Sequence, residues 1–119
     1  MLEFRNLHLT QGDFTLTADF QVPKGARVAV IGPSGAGKST LLSLIGGFET
    51  PDDGDIFWQE KPFGLSAPFE RPISHLFQDN TLFAHMTAAQ NVGLGLKPNL
   101  RLSKSEQSAV SEALRAVGL

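Results

Sequence analysis

A chain of 119 residues with 41% hydrophobic content has room for one domain with a core of ordinary size. Its formal charge of -2 comes without a basic stripe, which argues against a nucleic-acid surface, and the absence of cysteine excludes disulfides and thiolate metal sites. No apolar run approaches the roughly 18 residues of a membrane-spanning helix. The opening Met1-Leu2-Glu3-Phe4-Arg5 lacks the basic-then-apolar pattern of a secretory signal, so a cytoplasmic location is expected.

Residues 2–9 read as a strand, with apolar side chains at Leu2, Phe4, Leu7 and Leu9. A second strand is predicted over residues 13–22, where Phe14, Leu16, Ala18, Phe20 and Val22 alternate strictly with polar residues, as in an antiparallel sheet with one wet face. Pro23-Lys24-Gly25 breaks it. The uninterrupted run Val28-Ala29-Val30-Ile31 is then expected to form a parallel core strand covered on both sides. Leu41, Leu42, Leu44 and Ile45 recur at helical spacing before Gly46-Gly47 ends the pattern.

Residues 50–72 are turn-rich around a short strand at 56–58, in which Phe57 and Trp58 read as core or hairpin packing, and another strand is expected at 73–77. Thr87-Ala88-Ala89-Gln90 and Ser103-Lys104-Ser105-Glu106 each have the form in which two side chains satisfy each other's free backbone N–H, so a helix is predicted to start at each. The second should carry Ala109, Val110, Ala113, Leu114 and Val117 inward and end on a left-handed Gly118.

Chemistry concentrates in Gly32-Pro33-Ser34-Gly35-Ala36-Gly37-Lys38-Ser39-Thr40, which matches G-x-x-x-x-G-K-[S/T]. Such a loop must curl so that successive N–H groups face a phosphate chain, which needs residues without obstructing side chains, here Gly32, Gly35 and Gly37. The helix that follows adds its unpaired N–H groups and the positive end of its dipole. Lys38 is expected to reach the β- and γ-phosphates, Ser39 to ligate Mg²⁺, and Thr40 to donate a further hydrogen bond. The ligand expected is ATP with Mg²⁺.

Gly-Pro-Ser-Gly-Ala-Gly-Lys-Ser-Thr-Leu-Leu at 32–42 resembles the ATP-binding subunits of ABC transporters, and Leu76-Phe77-Gln78-Asp79-Asn80-Thr81-Leu82-Phe83-Ala84-His85-Met86 with the Thr87-Ala88-Ala89-Gln90-Asn91-Val92 that follows is similar to their Q-loop region. The resemblance runs over essentially the whole chain. It implies an α/β P-loop NTPase fold of the ABC ATPase type, here its N-terminal half: an antiparallel β subdomain, a parallel core strand and the start of a helical subdomain. It also implies that Gln78 touches Mg²⁺ and the attacking water, which suits an amide that both donates and accepts. By the same resemblance residues 81–92 face membrane-embedded permease subunits, a second ATP-binding subunit completes a dimer, and the protein sits peripherally on the cytoplasmic face of the inner membrane. Arg71-Pro72-Ile73-Ser74-His75 before Leu76, and Gly93-Leu94-Gly95-Leu96-Lys97-Pro98, look most like bacterial thiamine importers. Importers of iron, sulfate, spermidine or molybdate share much of this text.

The sequence departs from that pattern in two places. The family's adenine-stacking aromatic has no match in Leu9-Thr10-Gln11-Gly12-Asp13, and Phe14 belongs to the alternating face, where core packing is the expected role. The signature loop, the Asp-Glu strand and the switch histidine have no counterpart in residues 1–119 either. Hydrolysis needs a carboxylate to hold Mg²⁺ and a base for water, so these residues alone are expected to bind nucleotide poorly or transiently and to hydrolyse it hardly at all. A non-catalytic nucleotide-binding module and an ABC ATPase detached from transport stay open as alternatives. His8 and His75 are expected to be structural and His85 to lie in the permease-facing segment, with no metal beyond the Mg²⁺ of the nucleotide.

Overall fold

The computed structural model describes residues 1–79 and 81–119, and Asn80 of the Q-loop block lies outside the described residues. The chain forms two compact units, residues 1–75 and 76–119. The first is built on a four-stranded antiparallel sheet in the order β2-β1-β3-β4. Its strands are β1 (Leu2–Gln11), β2 (Phe14–Val22), β3 (Asp53–Trp58) and β4 (Lys61–Pro62). Strands β1 and β2 form a hairpin in which Gln11 faces Phe14 across the Gly12-Asp13 turn. In β1 the register shifts between Phe4 and Leu7, where Asn6 adopts a φ of 47°, so one extra residue bends the strand.

Alternation, reset by the extra residue between Phe4 and Leu7, sends Phe4, Leu7 and Leu9 of β1, Ala18 of β2 and Ile56 of β3 into a shared core. Helix α1 (Lys38–Gly46) packs on it through Leu44, with Leu41 and Ile45 at its margin. Phe20 lies nearer the edge and stacks on Phe4, ring centroids 4.4 Å apart. Trp58 packs against the core, and Phe57 lies beneath the Arg5 guanidinium, 4.0 Å from its ring centroid.

Three expectations need correction. Residues 28–31 and 73–77 carry no strand pairing among the described residues; Val28 and Val30 are exposed, and Ile31 is 90% exposed. An apolar run states that a segment belongs in an interior, but a strand also needs a neighbour to complete its ladder, and no described strand supplies one. The strand expected at 56–58 is longer, beginning at Asp53, and turns back through β4, with a short 3₁₀ turn at Pro68–Glu70.

In the second unit, α2 (Ala88–Gly93) and α3 (Lys104–Ala116) start where the sequence places them. Thr87 N–H donates to Gln90 Oε1 at 2.9 Å while Gln90 N–H donates to Thr87 Oγ1 at 3.1 Å. Ser103 and Glu106 repeat the exchange at 2.8 and 3.2 Å. The inward face of α3 is narrower than expected. Val110 is buried and Leu114 half-buried, whereas Ala109, Ala113 and Val117 are exposed, because the short α2 covers only one seam of the helix. Gly118 takes the left-handed conformation, φ 85°, and Leu119 N–H closes on Leu114 O at 2.9 Å.

Candidate functional site

The phosphate-loop sequence folds into the turn its glycines permit. Gly35 and Gly37 adopt φ values of 82° and 100°, and Ala36 N–H donates to Pro33 O at 3.1 Å, which closes the loop tip. Gly37 is the N-cap of α1, with no side chain capping it and no acidic residue in the first turn. The first-turn N–H groups of Lys38, Ser39 and Thr40 therefore have no intrahelical acceptor, and they point out of the helix start with the positive end of its dipole.

These residues open onto a cavity of about 530 Å³ lined by Ser34, Gly35, Gly37, Lys38, Ser39 and Thr40 of the loop and by Gln11 and Phe14 of the hairpin. Lys38, half-buried, folds back over the loop and donates from Nζ to Gly32 O at 2.5 Å and to Pro33 O at 2.7 Å. Lys38, a cation in the cavity wall, is thus held by neutral carbonyls, weaker acceptors for an ammonium than charged oxygens. Ser39 is exposed at the same wall.

Phe14 corrects its expected role. It is half-buried and stands outside the core cluster, with its ring against Gly37; a Cβ at residue 37 would come within 2.6 Å of Phe14 Cζ. Alternation assigned the correct face of β2, but the first residue of that face passes over the loop instead of the core. Gln11 was missed for a related reason: it becomes a cavity wall only because the hairpin turn folds its pair with Phe14 toward α1.

Gln78 belongs to the second unit, where it is exposed at a bend. In that unit Asn91 fastens the segment before α2: its Oδ1 accepts from Phe83 N–H at 2.8 Å, and its Nδ2 donates to Phe83 O and Thr87 O at 3.1 and 3.0 Å. Leu82 and Phe83 remain exposed and line an apolar groove of about 680 Å³ with Met86, Val92, Leu114 and Val117. His8 bonds Thr10 at 3.1 Å, His75 meets Phe48 edge-on, and His85 meets Phe83 edge-on at 5.9 Å. Among the described residues no group of His, Asp or Glu could hold a metal by itself, and no helix is long and apolar enough to cross a membrane.

The chain is 51% identical to the thiamine import ATP-binding protein ThiQ of Cereibacter sphaeroides, over all of this chain and 52% of that protein. It is 48% identical to the protein of the same name from Haemophilus influenzae, again over all of this chain and 55% of that one. The chain thus spans about half the length of the curated relatives it matches. Among solved structures it superposes on the ATP-binding cassette MJ0796 in a dimeric post-hydrolysis state bound to ADP and Pi. The TM-score is 0.74 at 25% identity, covering 97% of this chain and 56% of that one. A second dimeric structure of that bacterial ABC transporter cassette gives 0.73 at 26% identity, covering 97% and 55%. The antiparallel sheet, phosphate loop and following helices are those of the N-terminal part of an ABC ATPase cassette. The sequence profile of the ABC transporter family matches residues 16–119, from β2 through the phosphate loop to Leu119, and the chain belongs to that family.

Proposed function

We propose that this chain is the nucleotide-binding part of an ABC importer's ATP-binding subunit, in which ATP binding and hydrolysis drive uptake of a small solute, thiamine. The observation that carries the reading is the uncapped start of α1 opening, with Lys38, into a cavity of about 530 Å³. Its size and polarity suit a nucleotide, and its backbone donors suit phosphate. The choice of thiamine is supported by the 51% and 48% identity to two thiamine import proteins over the whole of this chain.

In this reading the backbone of Gly32, Pro33, Ser34, Gly35, Ala36 and Gly37 wraps the phosphates and Lys38 leaves its carbonyls for the β- and γ-oxygens. Thr40 donates a further hydrogen bond, and Phe14 offers an aromatic wall to the rest of the nucleotide. Mg²⁺ fits the donor set: it takes hard oxygen ligands, and the exposed Ser39 hydroxyl stands beside the site of the phosphates. Once bound, the cation would neutralise phosphate charge as it builds up. Gln78 is assigned the water-orienting role, its amide able to donate and accept without competing for the water's proton. Residues 1–119 thus form part of an ABC ATP-binding domain that works as a dimer, on the cytoplasmic face of the inner membrane. The permease docks on the segment that Asn91 fastens, where Leu82 and Phe83 stand exposed.

The test is uptake of radiolabelled thiamine by cells whose full-length gene carries Lys38→Ala, with sulfate and spermidine uptake measured alongside. Loss of thiamine uptake alone, with the protein still present, is expected. Unchanged thiamine uptake would sink the proposal, and loss of a different solute would move the transporter to that solute.

A further inference from the structure

Arg71 is the buried charged residue of the first unit, 8% exposed; among the described residues no carboxylate lies within ion-pair distance of it, and Asp55 acts on it only at longer range. Its guanidinium is spent on backbone carbonyls. Nη1 donates to Leu44 O at 2.7 Å and Ile45 O at 3.0 Å, Nη2 to Gly64 O at 2.8 Å, and Nε to Ser66 O at 2.9 Å. The first two acceptors are last-turn carbonyls of α1, a helix with no basic residue of its own there. The other two belong to the segment following β4. That segment is itself tied to the sheet, because Asp55 of β3 accepts from Gly64 N–H at 2.8 Å. A continuous path therefore runs from the sheet through Asp55, Gly64 and Arg71 to the end of the phosphate-loop helix.

The neighbours of Arg71 reinforce the attachment. Phe63, buried, lies under the guanidinium at 5.5 Å, and Gly47 is bare of a side chain where a Cβ would meet Arg71 Nε at 2.6 Å. Ile73 packs on the core, and His75 touches the same helix end, 2.7 Å from where a Gly46 Cβ would stand. The N-terminal end of α1 is kept free of capping side chains while its C-terminal end is fixed and its negative pole neutralised.

We propose that Arg71 is a positioning residue for the phosphate loop, holding α1 from its C-terminal end against the sheet and thereby setting nucleotide affinity from the end opposite the phosphates. The inference rests on the nucleotide-binding reading above. A loop that binds through backbone N–H groups is only as well placed as the helix that carries them, and a contact that fixes that helix tunes affinity without touching the ligand. Lysine cannot replace the residue: one ammonium cannot reach four carbonyls laid out for a planar fork.

The experiment measures MgATP affinity and hydrogen exchange on the full-length polypeptide. Wild type, Lys38→Ala, Arg71→Lys and Arg71→Met are compared with Ile56→Val, a one-methyl change in the core cluster on which α1 packs that leaves the four Arg71 contacts in place. Both Arg71 variants are expected to weaken MgATP binding roughly tenfold in the folded protein and to speed exchange of the α1 amides more than those of β1. Ile56→Val should lower the melting temperature and leave affinity within about twofold. A wild-type protein that binds no nucleotide would overturn the nucleotide reading itself. Wild-type binding with unchanged affinity in the Arg71 variants, or an equal loss in Ile56→Val, would overturn the positioning role alone. If neither Arg71 variant folds, the wild type decides: MgATP must slow exchange of Gly64 N–H, since coupling is reciprocal, and unaltered exchange there refutes the role.

Discussion

Phe14 and Gly37 are in contact across the rim of the phosphate-loop cavity, so close that a Cβ on residue 37 would stand 2.6 Å from the ring and 3.0 Å from Leu16 Cδ1. The φ of 100° at Gly37 is also one that L side chains adopt only under strain. Gly37→Ala therefore suffers twice, and displacing the ring or the loop costs on the order of 1–3 kcal/mol. Nucleotide affinity is expected to fall about 10- to 100-fold, read by titration with a fluorescent ATP analogue. Phe14→Leu separates the wall from the loop. It should weaken ATP several-fold and leave tripolyphosphate binding unchanged; equal losses for both ligands would mean that Phe14 only props the loop.

Lys38 closes the loop on itself by donating to the carbonyls of Gly32 and Pro33. Lys38→Ala removes both bonds, each worth about 1 kcal/mol at most for a half-exposed group, so the nucleotide-free protein should melt slightly earlier. The larger effect is on the response to ligand. A ligand at 100 times its Kd stabilises the folded state by about 2.7 kcal/mol, and the variant should lose that stabilisation nearly completely. A melt of Lys38→Ala that rises with MgATP as the wild type does would refute the role given to the lysine.

What the sequence disclosed, and what it withheld, divides along the range of the interactions. Thr87 with Gln90, and Ser103 with Glu106, were legible because a capping box is a contract between residues three apart. The left-handed Gly118 and the end of α1 at Gly46-Gly47 were legible for the same reason. Residues 28–31 and 73–77 announce an interior by composition, but a strand exists only where another strand pairs with it, and composition names no partner. Phe14 was read onto the right face and the wrong neighbour, since alternation cannot tell core from cavity wall. Arg71 entered the family resemblance but gave no signal of its contacts: an arginine ahead of Pro72 in a turn-rich stretch looks like a solvated charge, and its four acceptors come from segments 5 to 27 residues away.

Magnesium should matter through Ser39. If its hydroxyl takes a place in the cation's oxygen shell, removing Mg²⁺ with a chelator should reduce the ATP-induced rise in melting temperature by more than half, and Ser39→Ala should bind ATP with similar affinity whether or not the metal is present. Mg²⁺ accepts few substitutes for an octahedral oxygen set, so Ca²⁺ should restore the wild type poorly. A Ser39→Ala protein with an undiminished Mg²⁺ effect would place the ligating oxygen elsewhere.

The second unit carries a pH dependence that can be isolated. The Ser103 N–H, followed by Lys97 at 3.0 Å, holds the Glu106 carboxyl below its ordinary range. A depressed folded-state pKa contributes stability that is complete above the unfolded value of about 4.3 and is lost as pH falls through the folded one. Protonation weakens the acceptor that caps α3 and discharges the pair with Lys97, so the start of α3 should loosen in acid before α2 does. The Thr87–Gln90 box of α2 has no group that titrates in that window. Glu106→Gln makes the two helices alike. Hydrogen exchange at Gln107 and Ser108 should be slower in wild type than in the variant at neutral pH, and the two should converge below the folded pKa. A constant gap across the titration would mean that the carboxylate's charge contributes nothing and the cap works through its hydrogen bond alone.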